Sequence, residues 1–120
     1  MCIRDRVMTV EFELDGQRVV AINGGPEFTF DEAVSLQVNC EDQDEVDYYW
    51  EKLSDGGEEG PCGWLKDRYG LSWQVTPEGM DAVFSDPDPG RAQRAMQAML
   101  QMRKLDVDAL RRAADGVPSA

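Results

Sequence analysis

Apolar and polar positions alternate near the start of the chain: Val10, Phe12 and Leu14 interleave with Thr9, Glu11 and Glu13. A period of two marks a strand with one apolar face. Asp15-Gly16 supplies a turn, since glycine accepts positive φ without a steric penalty. Val19, Val20, Ala21 and Ile22 then form a return strand that is apolar on both faces, which predicts a place inside a sheet. Alternation resumes over residues 34–40. Val34, Leu36, Val38 and Cys40 share one face there, and Ser35, Gln37 and Asn39 the other.

The period changes to helical after Asp42, a good N-cap with Glu45 at capping-box spacing. Val46, Tyr49, Trp50 and Leu53 fall at i, i+3, i+4 and i+7, one stripe suited to packing on a sheet. Asp44, Asp47 and Glu51 are expected to face water, and Gly56-Gly57 closes the helix. Three strands follow, at 57–62, 63–67 and 71–75. The last two are joined by the turn Arg68-Tyr69-Gly70 and ended by Pro77, which has no N–H for a ladder. In the tail, Asp88-Pro89 opens a helix over 91–104 with Ala92, Ala95, Met96, Met99 and Leu100 on one face. Asp106 caps a second short helix through Val107, Leu110 and Ala114 that closes at Gly116.

The chain has 120 residues, enough for one core, and 42% of them are hydrophobic. Its net charge of −12 argues against nucleic-acid partners and anionic membranes. No stretch is long and apolar enough to span a bilayer or to serve as a signal peptide. Cys2, Cys40 and Cys62 have no CxxC spacing and are expected to be reduced thiols of a cytoplasmic protein. Histidine is absent, which excludes His-based zinc sites and Ser-His-Asp or Cys-His catalysis within the chain.

Residues 1–6 (MCIRDR) have neither period nor cap and resemble translated sequencing adapter. They are set aside as non-native, and the chain is expected to be a fragment. Gly24-Gly25-Pro26 is read as a plain turn, because no phosphate-loop lysine or helix follows. Phe28 and Phe30 lie on one side of an extended segment and suit either a core or a pocket wall. The neutral polar face of Ser35, Gln37 and Asn39 fits a cavity wall or a solvated face.

Several of these residues together carry a family resemblance. They are Gly24-Gly25-Pro26 with Phe28 and Phe30, Ser35 to Asn39, the acidic-capped helix with Tyr49-Trp50, Cys62 to Asp67, and Ser72 to Val75. The strand–helix–strand–strand–strand order resembles the vicinal oxygen chelate superfamily (glyoxalase, bleomycin resistance and dioxygenase proteins). Within it, the chain is similar to the PhnB-like, demethylubiquinone methyltransferase-like group. The resemblance implies an α+β fold: one complete βαβββ module plus the last two strands of a second, forming a partial curved sheet, with C-terminal helices. The corresponding segments are 7–33 as the remnant of the first module, 34–84 as the complete one and 85–120 as the helical tail.

The superfamily holds a divalent metal between His and Glu ligands on the first and last strands of its modules. Here Val34 or Ser35 stands at the first-strand position and Gln74 at the last. Neither matches, so no metal and no cofactor are expected. The function expected is metal-independent binding of a small molecule by Phe28, Phe30, Gln37, Asn39, Trp64, Trp73 and Gln74. One alternative is a metal-independent isomerase, lyase or transferase using Cys62, Glu59 or Lys66-Asp67; another is a non-catalytic dimerisation module with a methionine-faced tail. A homodimer is the expected state of the full-length parent.

Overall fold

The computed structural model describes residues 2–3 and 6–116, with side chains from Met8 onward. The segment set aside as non-native thus lies partly outside the described residues. Its described residues, Cys2, Ile3 and Arg6, belong to β1 (Cys2–Ile3) and β2 (Arg6–Val7), which pair as a short antiparallel ladder.

β3 (Thr9–Leu14) and β4 (Gln17–Ile22) form the expected hairpin around Asp15-Gly16, both with positive φ. Its register puts Val10 opposite Ala21 and Phe12 opposite Val19, one apolar face. Val20 and Ile22 emerge on the other face, opposite Glu11 and Thr9. The expectation that the return strand lies inside a sheet is corrected here. The hairpin is a separate two-stranded sheet, and Val10, Phe12, Val20 and Ile22 are exposed. Two strands alone leave both faces open, and the apolar run on β4 has no third strand beside it.

The second sheet carries the core. β5 (Ser35–Cys40), β6 (Glu58–Glu59), β7 (Trp64–Lys66) and β8 (Ser72–Pro77) are arranged in the order β5-β8-β7-β6. β5 runs parallel to β8, and the other neighbours are antiparallel. The parallel pair needs a crossover, which α1 (Gln43–Ser54) provides. Asp42 caps α1 by accepting from the Glu45 amide. The predicted stripe is the buried one: Val46 and Trp50 pack with Cys40, Leu65 and Val75, flanked by Val38, Tyr49, Leu53 and Trp73. The sheet therefore has a helix-covered face and an open face. Strand alternation places Ser35, Gln37, Trp64, Lys66, Ser72 and Gln74 on the open one.

β6 is much shorter than the predicted strand over 57–62. Pro61 offers no N–H, and Cys62 takes a left-handed φ of 57°, so the chain turns away from the ladder. The amides of Cys62 and Gly63 donate instead to the carbonyls of Met102 and Arg103, tying this turn to the tail. A short α2 (Met80–Phe84), not foreseen, follows Gly79. α3 (Pro89–Leu100) starts where Asp88-Pro89 predicts but ends four residues early, and α4 (Val107–Ala114) follows its Asp106 cap. Gln43 fastens this tail to α1: its Nε2 donates to the Leu105 carbonyl at 3.0 Å, and its Oε1 accepts from the Val107 amide at 2.8 Å. Asp47 is not simply solvated as expected, since it accepts from Gln43 at 3.0 Å and pairs with Lys104 at 2.8 Å.

Candidate functional site

The open face of the four-stranded sheet bears a cavity of about 420 Å³ at the β6–β7 side. Its wall combines Pro61, Cys62, Trp64 and Leu65 with Glu32, Glu58, Glu59, Lys66 and Ser72. That volume falls in the range that holds a small organic molecule. Each strand contributes for a definite reason. β7 alternates, so Trp64 and Lys66 face the cavity while Leu65 anchors the strand in the core. β8 pairs with β7 so that Ser72 lies opposite Lys66.

Two features stand out chemically. Ser72 is only 1% exposed, and its Oγ has no hydrogen-bond partner among the described residues. A buried hydroxyl without a partner costs about 1–3 kcal/mol, so native structures rarely keep one without a use for it. The second is the ion pair between Lys66 Nζ and Glu32, which ties the segment before β5 to the sheet. The hydrogen bond from Lys66 lowers the Glu32 carboxyl below its ordinary value. The same bond, reinforced by the Glu32 charge, raises Lys66.

Glu59 turns towards the helix. Its Oε1 accepts the Trp50 indole N–H at 2.7 Å, and its Oε2 lies 3.8 Å from Arg103.

The residues expected to bind ligand are not brought into one place. Trp64 lines the cavity. Gln74 shares its face and donates from Nε2 to Ser35 Oγ at 2.9 Å. Gln37 and Asn39 bond to each other at 2.9 Å. They line a cleft of about 790 Å³ between the hairpin tip and the β5–α1 edge, in which Trp73 also takes part. Trp73 belongs to the helix-covered side, half-buried against the core, and its indole donates to Asp67 at 2.9 Å. Phe28 and Phe30 project from the connection before β5, 89% and 60% exposed, away from any core. Glu32, Glu58 and Ser72 were missed. Parity along β8 places Ser72 beside Gln74, but its burial depends on neighbours that are distant in sequence.

The positions at which the resemblance would set metal ligands bear on the same face. Val34 lies outside the strand and is exposed. The remaining pair, Ser35 and Gln74, satisfy each other through the amide-to-hydroxyl bond. A neutral hydroxyl and a neutral amide are poor donors for a divalent cation beside carboxylate or imidazole. These residues do not fit the superfamily's metal.

A family model for 3-demethylubiquinone-9 3-methyltransferase matches residues 3–76. The chain belongs to this PhnB-like family. Its fold is similar to that of a PhnB protein from Bacillus cereus, with 35% sequence identity and a TM-score of 0.52. The similarity covers 58% of this chain and 64% of that one, so the PhnB-like chain spans less than two thirds of its relative's length. No curated protein matches it. Among the described residues of the PhnB-like chain, no helix is long and apolar enough to cross a membrane.

Proposed function

We propose that this PhnB-like domain binds a small organic molecule, without metal, in the cavity walled by Trp64, Cys62, Lys66 and Ser72. The unpartnered buried hydroxyl of Ser72 carries this reading. It is a fixed polar group beside the apolar surface of Trp64 and Pro61, the arrangement that orients a ligand. The mutual hydrogen bond of Ser35 and Gln74 supports binding that does not pass through a metal.

A thermal-shift screen of the protein and its Ser72→Ala variant against a panel of metabolites tests the reading. Removing a hydroxyl that has no partner leaves the ligand-free melting temperature unchanged or raised. A ligand that stabilises the native protein should then fail to stabilise the variant. A screen without any stabilising ligand, or equal stabilisation of both proteins, overturns the proposal.

One observation favours a second reading, a metal-independent enzyme. Cys62, a free and half-buried thiol, lies in the wall of the same cavity. Alkylation of Cys62 no faster than that of free cysteine removes it as a nucleophile. For the full-length protein we propose a homodimer, supported by the exposed apolar residues of the β3–β4 hairpin. Light scattering after size exclusion checks this, and a monomer at high concentration refutes it.

A further inference from the structure

Taking the cavity as a binding site, as proposed above, we infer that it selects a small organic amine: a protonated nitrogen on an apolar body. The charges on its wall point this way. Among the described residues Lys66 is the only cation in the wall, and Glu32 already pairs with it. Glu59 is engaged by Trp50 and lies near Arg103. Glu58 stands in register opposite Lys66 and, with Asp31, adds to the negative charge that Lys66 already meets in Glu32, so carboxylates outnumber the cation there.

An acidic cluster alone would mark only a solvated surface. Here it adjoins two groups that suit the same ligand. The Ser72 hydroxyl has acceptor lone pairs for an ammonium N–H and is buried without a partner. Trp64 offers the ring type that attracts cations most strongly. Pro61, beside Trp64, supplies apolar contact for the body of the molecule. A carboxylate or phosphate would instead lose hydration against this wall and meet Glu58, with Lys66 already taken.

The test uses three probes that share a ring and differ in charge: benzylamine, benzyl alcohol and benzoate. Each is titrated into the uniformly labelled protein while amide shifts are followed by NMR. Benzylamine should perturb residues 58–66 and Ser72 and bind roughly tenfold more tightly than benzyl alcohol. Benzoate should leave these signals unmoved. Glu58→Gln should reduce benzylamine binding to the level of the alcohol and leave the alcohol unaffected. Benzoate binding as well as benzylamine, or Glu58→Gln without effect on the amine, overturns the charge selection and leaves the cavity as a binding site. If no probe perturbs residues 58–66, the inference falls, and the metabolite screen decides separately whether the binding reading falls with it.

Discussion

Asp67 Oδ2 accepts the indole N–H of Trp73 at 2.9 Å, while Oδ1 of the same carboxylate accepts the backbone amides of Tyr69 and Leu71. One side chain thus shapes the β7–β8 turn and fixes the ring that leaves it. Asp67→Ala should cost about 2–3 kcal/mol, since three bonds to a carboxylate are lost. Asp67→Asn keeps one acceptor oxygen for the turn and should cost about 1 kcal/mol. Urea denaturation of both variants checks the order, and equal losses would show that the two turn bonds to Oδ1 contribute nothing.

Gln43 joins α1 to the tail through one donor and one acceptor, on Leu105 and Val107. Gln43→Ala should destabilise by about 2 kcal/mol and speed hydrogen exchange at the Val107 amide. Gln43→Glu should do no better. Its carboxylate can still accept from Val107, but it cannot donate to Leu105 and it adds a like charge beside Asp47.

Gly63 takes φ +84°, and a Cβ there would lie 2.9 Å from Leu105 Cδ1 and 3.0 Å from the Val75 carbonyl oxygen. Gly63→Ala should cost at least about 2 kcal/mol, from backbone strain together with overpacking. Its melting temperature checks this directly, and a fall of less than a degree would contradict it.

Burial, reinforced by the Glu45 and Asp42 charges, pushes the Cys40 thiol up to about 11. Little thiolate forms at pH 8, and the side chain is enclosed. Iodoacetamide should therefore modify Cys62 in the native protein and reach Cys40 only in denaturant, as read by peptide mass mapping. Rapid native labelling of Cys40 would contradict the packing described.

The Glu32–Lys66 pair sets a pH window. Glu32 is lowered from 4.5, so its contribution is present above that value and lost as pH falls through the lower folded one. Lys66 is raised from 10.5, so its contribution is present below that value and lost as pH rises through the higher folded one. The melting-temperature difference between wild type and Glu32→Gln should stay flat from about pH 5 to 10 and shrink outside that range. A difference that varies across neutral pH would show that the pair is not the cause.

Local signals were legible wherever cap and period agreed. Asp42 with Val46, Tyr49, Trp50 and Leu53 foretold α1, and Asp106 with Leu110 and Ala114 foretold α4. Placing Trp73 and Gln74 in one pocket overlooked the period of two along β8, by which Trp73 joins Val75 and opposes Gln74. The role of Asp67 rests on an Asx-type turn that its sequence neighbours only hint at. The orphaned hydroxyl of Ser72 was not legible at all. Whether a serine on an alternating strand is solvated or enclosed depends on which side chains cover it across the sheet.

The parallel pairing of Ser35 with Ser72, the first contact of β5 with β8, bears on how the chain reaches this structure. The β7–β8 hairpin and α1 draw on neighbours in sequence and can form early. Joining β5 to β8 must close a long loop before any hydrogen bond rewards it. That step is then the slow one, and until it is complete the apolar stripe of α1 has only part of its sheet to pack against. Conditions that delay it expose Val46 and Trp50, which makes refolding of this small domain a race between sheet closure and aggregation.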